Sequence, residues 1–535
     1  MSYLVNGFTV TDKTILSRRA HASTMPWDGD GGGNRHLLVV GGSGSGKSYS
    51  VIEPNLMQLN SSHVVVDPKG ALLDDLGPGL AEAGYEVRSV DFADPSRATA
   101  TWNPFSACRD ATSLHELCMA LCSEHGVSER DPYWQERGAL LVEAVCLLVG
   151  ERGERLTMRS LANLAAAANE PSRRGRSGAL TAGPEQPDPC LLDDLFDDAE
   201  EAARLRRDEG AVASMREEAE LLRRHAGGLR GAELRLADQA RVARLGAFAD
   251  DDRAAERDRA ERDLEECRRA IEAADARAAE LAGSLAEAEA AAGPASPAER
   301  LWASVRNNAK DTFACLKSEA LGALERYRDE ALLRMLDGGP GEVDLEAPGR
   351  RAAATFCVVS DVSRDLDALA GLFVRQSVEA LVREADASPG RRLLRPVRLT
   401  LDDMANMGPG TFAGLPTWLS AARSREVWIT VAVQSVAQLR ERFGRAAETV
   451  MASCDDSVWF VPADWETAVE VARRRGIGPT DAMREDVRTV TVAGRGYKAF
   501  TDWRYDPADH PNARAFGEAR TRAMASRSSD EGRSQ

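Results

Sequence analysis

"HLLVVGGSGSGKS" (36–48) decides how this chain is read. Leu37, Leu38, Val39 and Val40 form an apolar run closed by glycine, the pattern of a strand buried on both faces. The next eight residues, "GGSGSGKS" (41–48), fit GxxxxGK[ST] in the strand–loop–helix context that this motif requires. Gly41, Gly42, Gly44 and Gly46, with Ser43 and Ser45 between them, let main-chain N–H groups converge on a chain of phosphates. The following helix would add its positive end. Lys47 would neutralise the β- and γ-phosphates and Ser48 would ligate Mg2+, so ATP and Mg2+ are the expected cofactors.

A phosphate loop needs an acid on a neighbouring strand. "VRLTLDDMANMG" (397–408) reads as a strand that ends on Asp402 and Asp403. Asp402 is placed to anchor the Mg2+ shell. Hydrolytic P-loop enzymes add a second carboxylate, usually Glu, that orients or deprotonates water. Asp403 stands there, one methylene shorter; the alternative is that it only caps the next helix. Arg423, in "ARSREV" (422–427), sits at a helix end before the next strand. It is either an arginine donated to a neighbouring subunit's γ-phosphate or part of a surface ion pair. Gln434 ends the strand "VWITVAVQ" (427–434), where it senses the γ-phosphate, positions water, or is a satisfied polar strand end.

Further strands are expected at "SSHVVVDPKG" (61–70), "YEVRSVDFAD" (85–94), "AATFCVVSD" (353–361) and "DSVWFVP" (456–462). Between about 107 and 350 the pattern is helical, with a Pro/Gly/Ser-rich loop at 171–190. The expected architecture is α/β: a RecA-like P-loop domain over 1–106 and 350–515, split by an all-α domain over 107–349, with a disordered tail at 516–535. In the stretch 197–291, Leu264, Cys267, Ile271, Ala274, Ala278, Leu281, Leu285 and Ala288 alternate by three and four, a coiled-coil seam. A weaker seam runs through Val212, Met215, Ala219 and Leu222. With a turn at "LGAFADDD" (245–252), these predict an antiparallel helical hairpin, with a break at Gly227, Gly228 and Gly231; the alternative is a solvated single helix or disorder.

The 535 residues carry a formal net charge of −17 and are 43% hydrophobic, enough for a real core but unsuited to coating nucleic acid or an anionic membrane. Nine scattered cysteines without a CxxC pair point to a reducing, intracellular setting. The nearly apolar run "GALLVEAVCLLVG" (138–150) is too short to span a bilayer. His115, Cys118, Cys122 and His125 share a helical face, but four ligands on one straight helix spread over about 15 Å and cannot meet one tetrahedral ion. His63, inside a strand, reads as packed rather than catalytic.

The set "LLVVGGSGSGKS", "VVVDPKG", "WNPF" (102–105), "DPYWQERGALLVEAV" (131–145), "LDDMANMG", "RSREV", "VAVQSVAQL" and "YDPADHPN" (505–512) resembles, in this order, the type IV secretion coupling proteins, the TraG/TraD-like conjugative DNA-transfer ATPases. The resemblance implies a hexameric ring, ATP hydrolysis between subunits, and delivery of relaxase-bound single-stranded DNA or protein to a type IV secretion channel. Carried over by motif, Lys47, Ser48, Asp402, Asp403, Arg423 and Gln434 take the roles above. Three departures matter. Many members begin with two transmembrane helices, absent here. This implies a cytoplasmic chain held at the inner membrane face by an anchoring partner, or a truncated one. Residues 200–297 are more coiled-coil-like than the family's all-α domain, and the segment after "VEVARRRGIG" (469–478) is short for the family's C-terminal sheet. The competing reading is an adaptor that binds ATP, hydrolyses it weakly and recruits protein substrates through its helices.

Overall fold

Apolar runs too long for a one-sided strand become the centre of a sheet. The computed structural model describes residues 2–24, 34–122, 132–174, 187–206, 209–246, 251–290, 296–408 and 411–531. In chain order the strands are β1 (Ser2–Val5), β2 (Phe8–Thr11), β3 (Lys13–Ile15), β4 (His21–Ser23), β5 (Leu37–Val40), β6 (Ser62–Pro68), β7 (Glu86–Asp91), β8 (Ala353–Val359), β9 (Val397–Leu401), β10 (Val427–Val433), β11 (Asp456–Phe460), β12 (Thr489–Gly494) and β13 (Tyr497–Trp503). The first four form two small antiparallel ribbons, and the other nine form one sheet in the order β13-β12-β11-β5-β10-β9-β6-β8-β7.

Seven of these nine strands, from β11 to β7, run parallel, and β12 and β13 join antiparallel at one edge. Every residue of β5, β9 and β10 is buried, as expected of strands covered on both faces. Because β5, β9 and β10 are parallel neighbours, their C-terminal ends come out side by side. In open α/β sheets that edge is where ligands sit. All seven sheet strands expected from the sequence are present. The two small ribbons were not anticipated, and the segment after Gly478, expected to add little sheet, forms the β12–β13 hairpin. His63 is fully buried in β6 and stacks on Tyr85 with ring centroids 5.8 Å apart. His115 pairs with Glu143 at 2.7 Å, Cys118 and Cys122 are buried, and His125 lies outside the described residues.

The chain divides into two compact units: 1–143, 155–163 and 315–535, and 144–154 with 164–314. Helices expected in the all-α domain, Ala111–Cys122 among them, thus group with the sheet. Residues 516–535, expected as a disordered tail, are instead helical to Glu531, within the helix Ala513–Glu531. The reason is a contact invisible in the tail's composition: Phe516 is buried over Gly79, where an added Cβ would fall 2.2 Å from its ring. Arg520 pairs with Asp75 and Arg522 with Glu82 on that same helix, Ala71–Glu82.

In the second unit, helices Glu209–Gly246 and Asp251–Ala290 form the expected hairpin. The pairs Arg230–Asp275, Glu233–Arg268 and Glu218–Arg277 fix an antiparallel register. Leu264, Cys267, Ile271, Ala274 and Leu281 are buried along the seam, as is Ala219 opposite. The side chains of Val212, Met215, Leu285 and Ala288, and the turn at 247–250, lie outside the described residues. The first helix runs through Gly227, Gly228 and Gly231 without the expected break: each glycine costs about 1 kcal/mol relative to alanine, which the packed seam outweighs. Beside the hairpin, Phe196 stacks on Trp302 at 4.7 Å and the Ser296 amide donates to Glu200 at 2.8 Å, contacts that do not involve it. Deleting 209–290 and bridging the gap with a short flexible linker is therefore expected to leave cooperative melting of the rest intact, read by circular dichroism. Loss of the remaining transition would show that the hairpin belongs to the core.

Candidate nucleotide site

The loop between β5 and the next helix is built to hold little but backbone. The Gly41 amide donates to Val433 O of β10 at 3.1 Å, tying the loop's first residue to the neighbouring strand end. Gly46 has φ +95°, a left-handed conformation that disfavours any side chain. A wide i→i+5 turn over Ser48–Ile52 then opens the helix, the kind of local widening found at functional sites.

The two acids at the end of β9 meet this loop. Ser48 Oγ donates to Asp402 Oδ2 at 2.6 Å. Lys47 Nζ lies 3.0 Å from Asp403 Oδ1 and donates to Gly41 O at 2.8 Å. Consecutive strand residues point to opposite faces. Asp403 escapes that rule because its backbone turns left-handed, φ +45°, which aims both carboxylates at consecutive residues of the loop. Asp is one of the few residues that tolerate this conformation. Its side chain makes no cap hydrogen bond to the short turn Met404–Asn406, so the capping alternative does not describe it.

Burial pushes the Asp402 carboxyl up to about 6; the Ser48 hydrogen bond opposes this and the Asp403 charge adds to it. Asp402 Oδ1 is buried without a hydrogen-bond partner. An orphaned carboxylate oxygen beside a serine hydroxyl is a hard-oxygen donor set that suits Mg2+. The residues present thus fit the metal that a phosphate loop requires.

Gln434 follows β10 and stands on the same edge, half-buried. Its backbone N–H donates to Gln438 Oε1 at 3.1 Å, and Gln438 Nε2 donates to Asn406 Oδ1 at 2.8 Å, joining this strand end to the turn that follows the acids. Arg423 is not brought to the site. It lies in the turn Arg423–Arg425 ahead of β10, at the opposite end of that strand, roughly 20 Å away by the strand rise. It is exposed and pairs with no described acid, whereas Arg425 pairs with Asp386 at 3.0 Å.

Sequence reasoning missed three residues here. Asp67, at the end of β6, is buried, caps the next helix through the amides of Leu72 and Leu73, and is pushed up to about 7 by burial. Gln438 gave no signal beyond lying inside "VAVQSVAQL". Arg504 reaches the phosphate loop from the far end of the chain, its Nη1 3.4 Å from Ser45 O. It directly precedes "YDPADHPN".

Two family models match the chain: type IV secretory system conjugative DNA transfer over residues 6–183, and the TraM recognition site of TraD and TraG over residues 396–499. Between them they take in a little over half of it. No curated protein matches. Among solved structures, the chain is similar to an unbound form of the bacterial conjugative coupling protein TrwB, at 15% identity over 88% of this chain and 84% of that one, with TM-score 0.51. It is likewise similar to TrwB in complex with the ATP analogue ADPNP and with ADP and Mg2+, each at 15% identity over 88% and 85%, with TM-score 0.50. At such identities the likeness speaks for the fold. Among the described residues no helix is long and apolar enough to cross a membrane.

Proposed function

We propose that this chain, a member of the type IV coupling-protein family, is a Mg2+-dependent ATPase that recruits relaxase-bound single-stranded DNA or protein substrates and drives them toward a type IV secretion channel. The observation that carries the reading is the convergence at the sheet edge: Lys47 against Asp403, and Ser48 against Asp402. In this scheme Gly41 to Gly46 cradle the phosphates, and Lys47 binds the β- and γ-phosphates. Ser48 and Asp402 hold Mg2+, which when bound neutralises phosphate charge. Asp403 accepts the proton of the attacking water, and Gln434 orients that water. The complexes of TrwB with ADPNP and with ADP and Mg2+ support the choice of cofactors. The test is phosphate release with and without single-stranded DNA; stimulation is expected, and a chain that binds ATP without turnover under either condition would favour the adaptor reading. The charge of −17 and the long, charged hairpin are what speak for that adaptor.

Arg423 gives the scheme its oligomeric form. A side chain roughly 20 Å from its own phosphate loop can meet a γ-phosphate only in another subunit, which supports a homo-hexameric ring with sites between subunits. Arg423→Ala and Lys47→Ala chains, each inactive alone, are expected to recover partial ATPase activity when mixed. One then supplies an intact loop and the other an intact arginine to the same interface. No recovery at any mixing ratio would count against action between subunits.

A further inference from the structure

The β5 strand has two sides, and the site described so far uses one. Asp402, Asp403 and Gln434 all lie toward β10 and β9. On the other side stand β11, β12 and β13, and the segment after β13 turns back to the phosphate loop. There Arg504 Nη1 lies 3.4 Å from Ser45 O and 3.3 Å from where a Cβ on Gly46 would sit. Arg504 is half-buried and makes no ion pair among the described residues; its charge helps to lower the Asp486 carboxyl, while its guanidinium donates to the loop at Ser45 O. Ser50 Oγ, buried and without a hydrogen-bond partner, is 3.7 Å from the same point over Gly46. Beside them Tyr49, 46% exposed, donates from its hydroxyl to Asp506 Oδ1 at 2.9 Å, which holds the ring in place.

A triphosphate whose terminal phosphate lies at Lys47 and Asp403 must leave the loop on the side away from the acids. That side is walled by Arg504–Asp506 and Tyr49. Resting on the phosphate-loop reading above, we propose that this wall is the nucleoside half of the site: Tyr49 offers its ring to the base, Arg504 its guanidinium to the phosphate nearest the ribose, and Asp506 fixes Tyr49. An aromatic face and a planar cation recognise π surface and charge, the usual means of holding a base without reading its edges. The β12–β13 hairpin then serves the nucleotide site of its own chain.

Calorimetric titration of the full chain with Mg·ATP and with Mg·tripolyphosphate separates the base from the phosphates. Wild type is expected to prefer ATP. Tyr49→Ala should bind ATP about tenfold more weakly and tripolyphosphate unchanged, while Tyr49→Phe, which keeps the ring but loses its bond to Asp506, should fall between Tyr49→Ala and wild type for ATP. Arg504→Ala should weaken both ligands, and Arg504→Lys should restore part of each. Tyr49→Ala binding ATP as wild type does, or losing both ligands equally, overturns the proposal. Lys47→Ala distinguishes the two levels: if it binds both ligands as wild type does, the phosphate-loop reading falls, and this inference with it.

Discussion

Replacing Lys47 with alanine is expected to weaken Mg·ATP binding on the order of a hundredfold and to abolish turnover. Lys47 is 5% exposed, with its ammonium held between Gly41 O and the Asp403 carboxylate. A charged hydrogen bond to phosphate contributes about 1.5–3 kcal/mol, and two of them, less the contacts given up, leave about 3 kcal/mol, or roughly a hundredfold. The substitution does more than remove a donor. It leaves Asp402 and Asp403 facing an incoming polyanion without the cation that lies between them, and partial burial makes that repulsion stronger than it would be in water. Calorimetry on the wild-type and variant chains reads the difference, with melting curves to show that both are folded. Equal affinities would remove the phosphate-loop assignment, and the rest of the proposed mechanism depends on it.

What could be read in the sequence follows from where the physics is local. The strands β5, β6 and β10 are legible because burial on both faces demands near-continuous apolar runs, whereas β9, VRLTL, carries the buried Arg398 and Thr400 and is marked by its β-branched and leucine positions and the acids that end it. β1 is not legible: all four of its residues, including Tyr3, Leu4 and Val5, are exposed, so no burial pattern marks it. The tail helix is hidden for a different reason. Its order depends on Phe516 finding Gly79, more than four hundred positions away, and a charged composition says nothing of that pairing. The hairpin seam was visible in its three–four spacing, but whether glycines interrupt the helix depends on packing that spacing does not report.

The candidate site divides in the same way. Lys47, Ser48 and Asp402 are identified by motif and strand position, and they meet. Arg423 is identified by motif and does not meet them: it stands in the turn ahead of β10, at the other end of that strand. Arg504 comes to the loop only because β12 and β13 fold back along β11, a topology that neighbouring residues do not encode. Most informative is Asp403, where the sequence shows a residue one methylene shorter than Glu and the structure adds a left-handed backbone that the strand pattern does not announce.

Asp403→Asn is expected to keep ATP binding and to lose turnover on the order of a hundredfold or more, since an amide cannot take the proton of the attacking water. The variant is isosteric and removes one negative charge, so nucleotide affinity should hold or rise. The length of the side chain is the sharper question. On the sequence alone, an Asp in place of Glu falls short, and a misplacement of about 1 Å can cost on the order of a hundredfold. The left-handed turn at Asp403 changes that expectation, because it already brings the carboxylate to 3.0 Å from Lys47 Nζ. Glutamate tolerates that backbone less well than aspartate and would carry its carboxylate past the position now held. Asp403→Glu should therefore turn over no faster than wild type. Steady-state phosphate release by the three proteins, at saturating ATP with single-stranded DNA, decides the matter. A faster Asp403→Glu would mean that reach limits the rate and that the turn does not compensate. An Asp403→Asn chain as fast as wild type would make Asp403 a counter-ion for Lys47 and no more, with the water held by another residue of the same sheet edge.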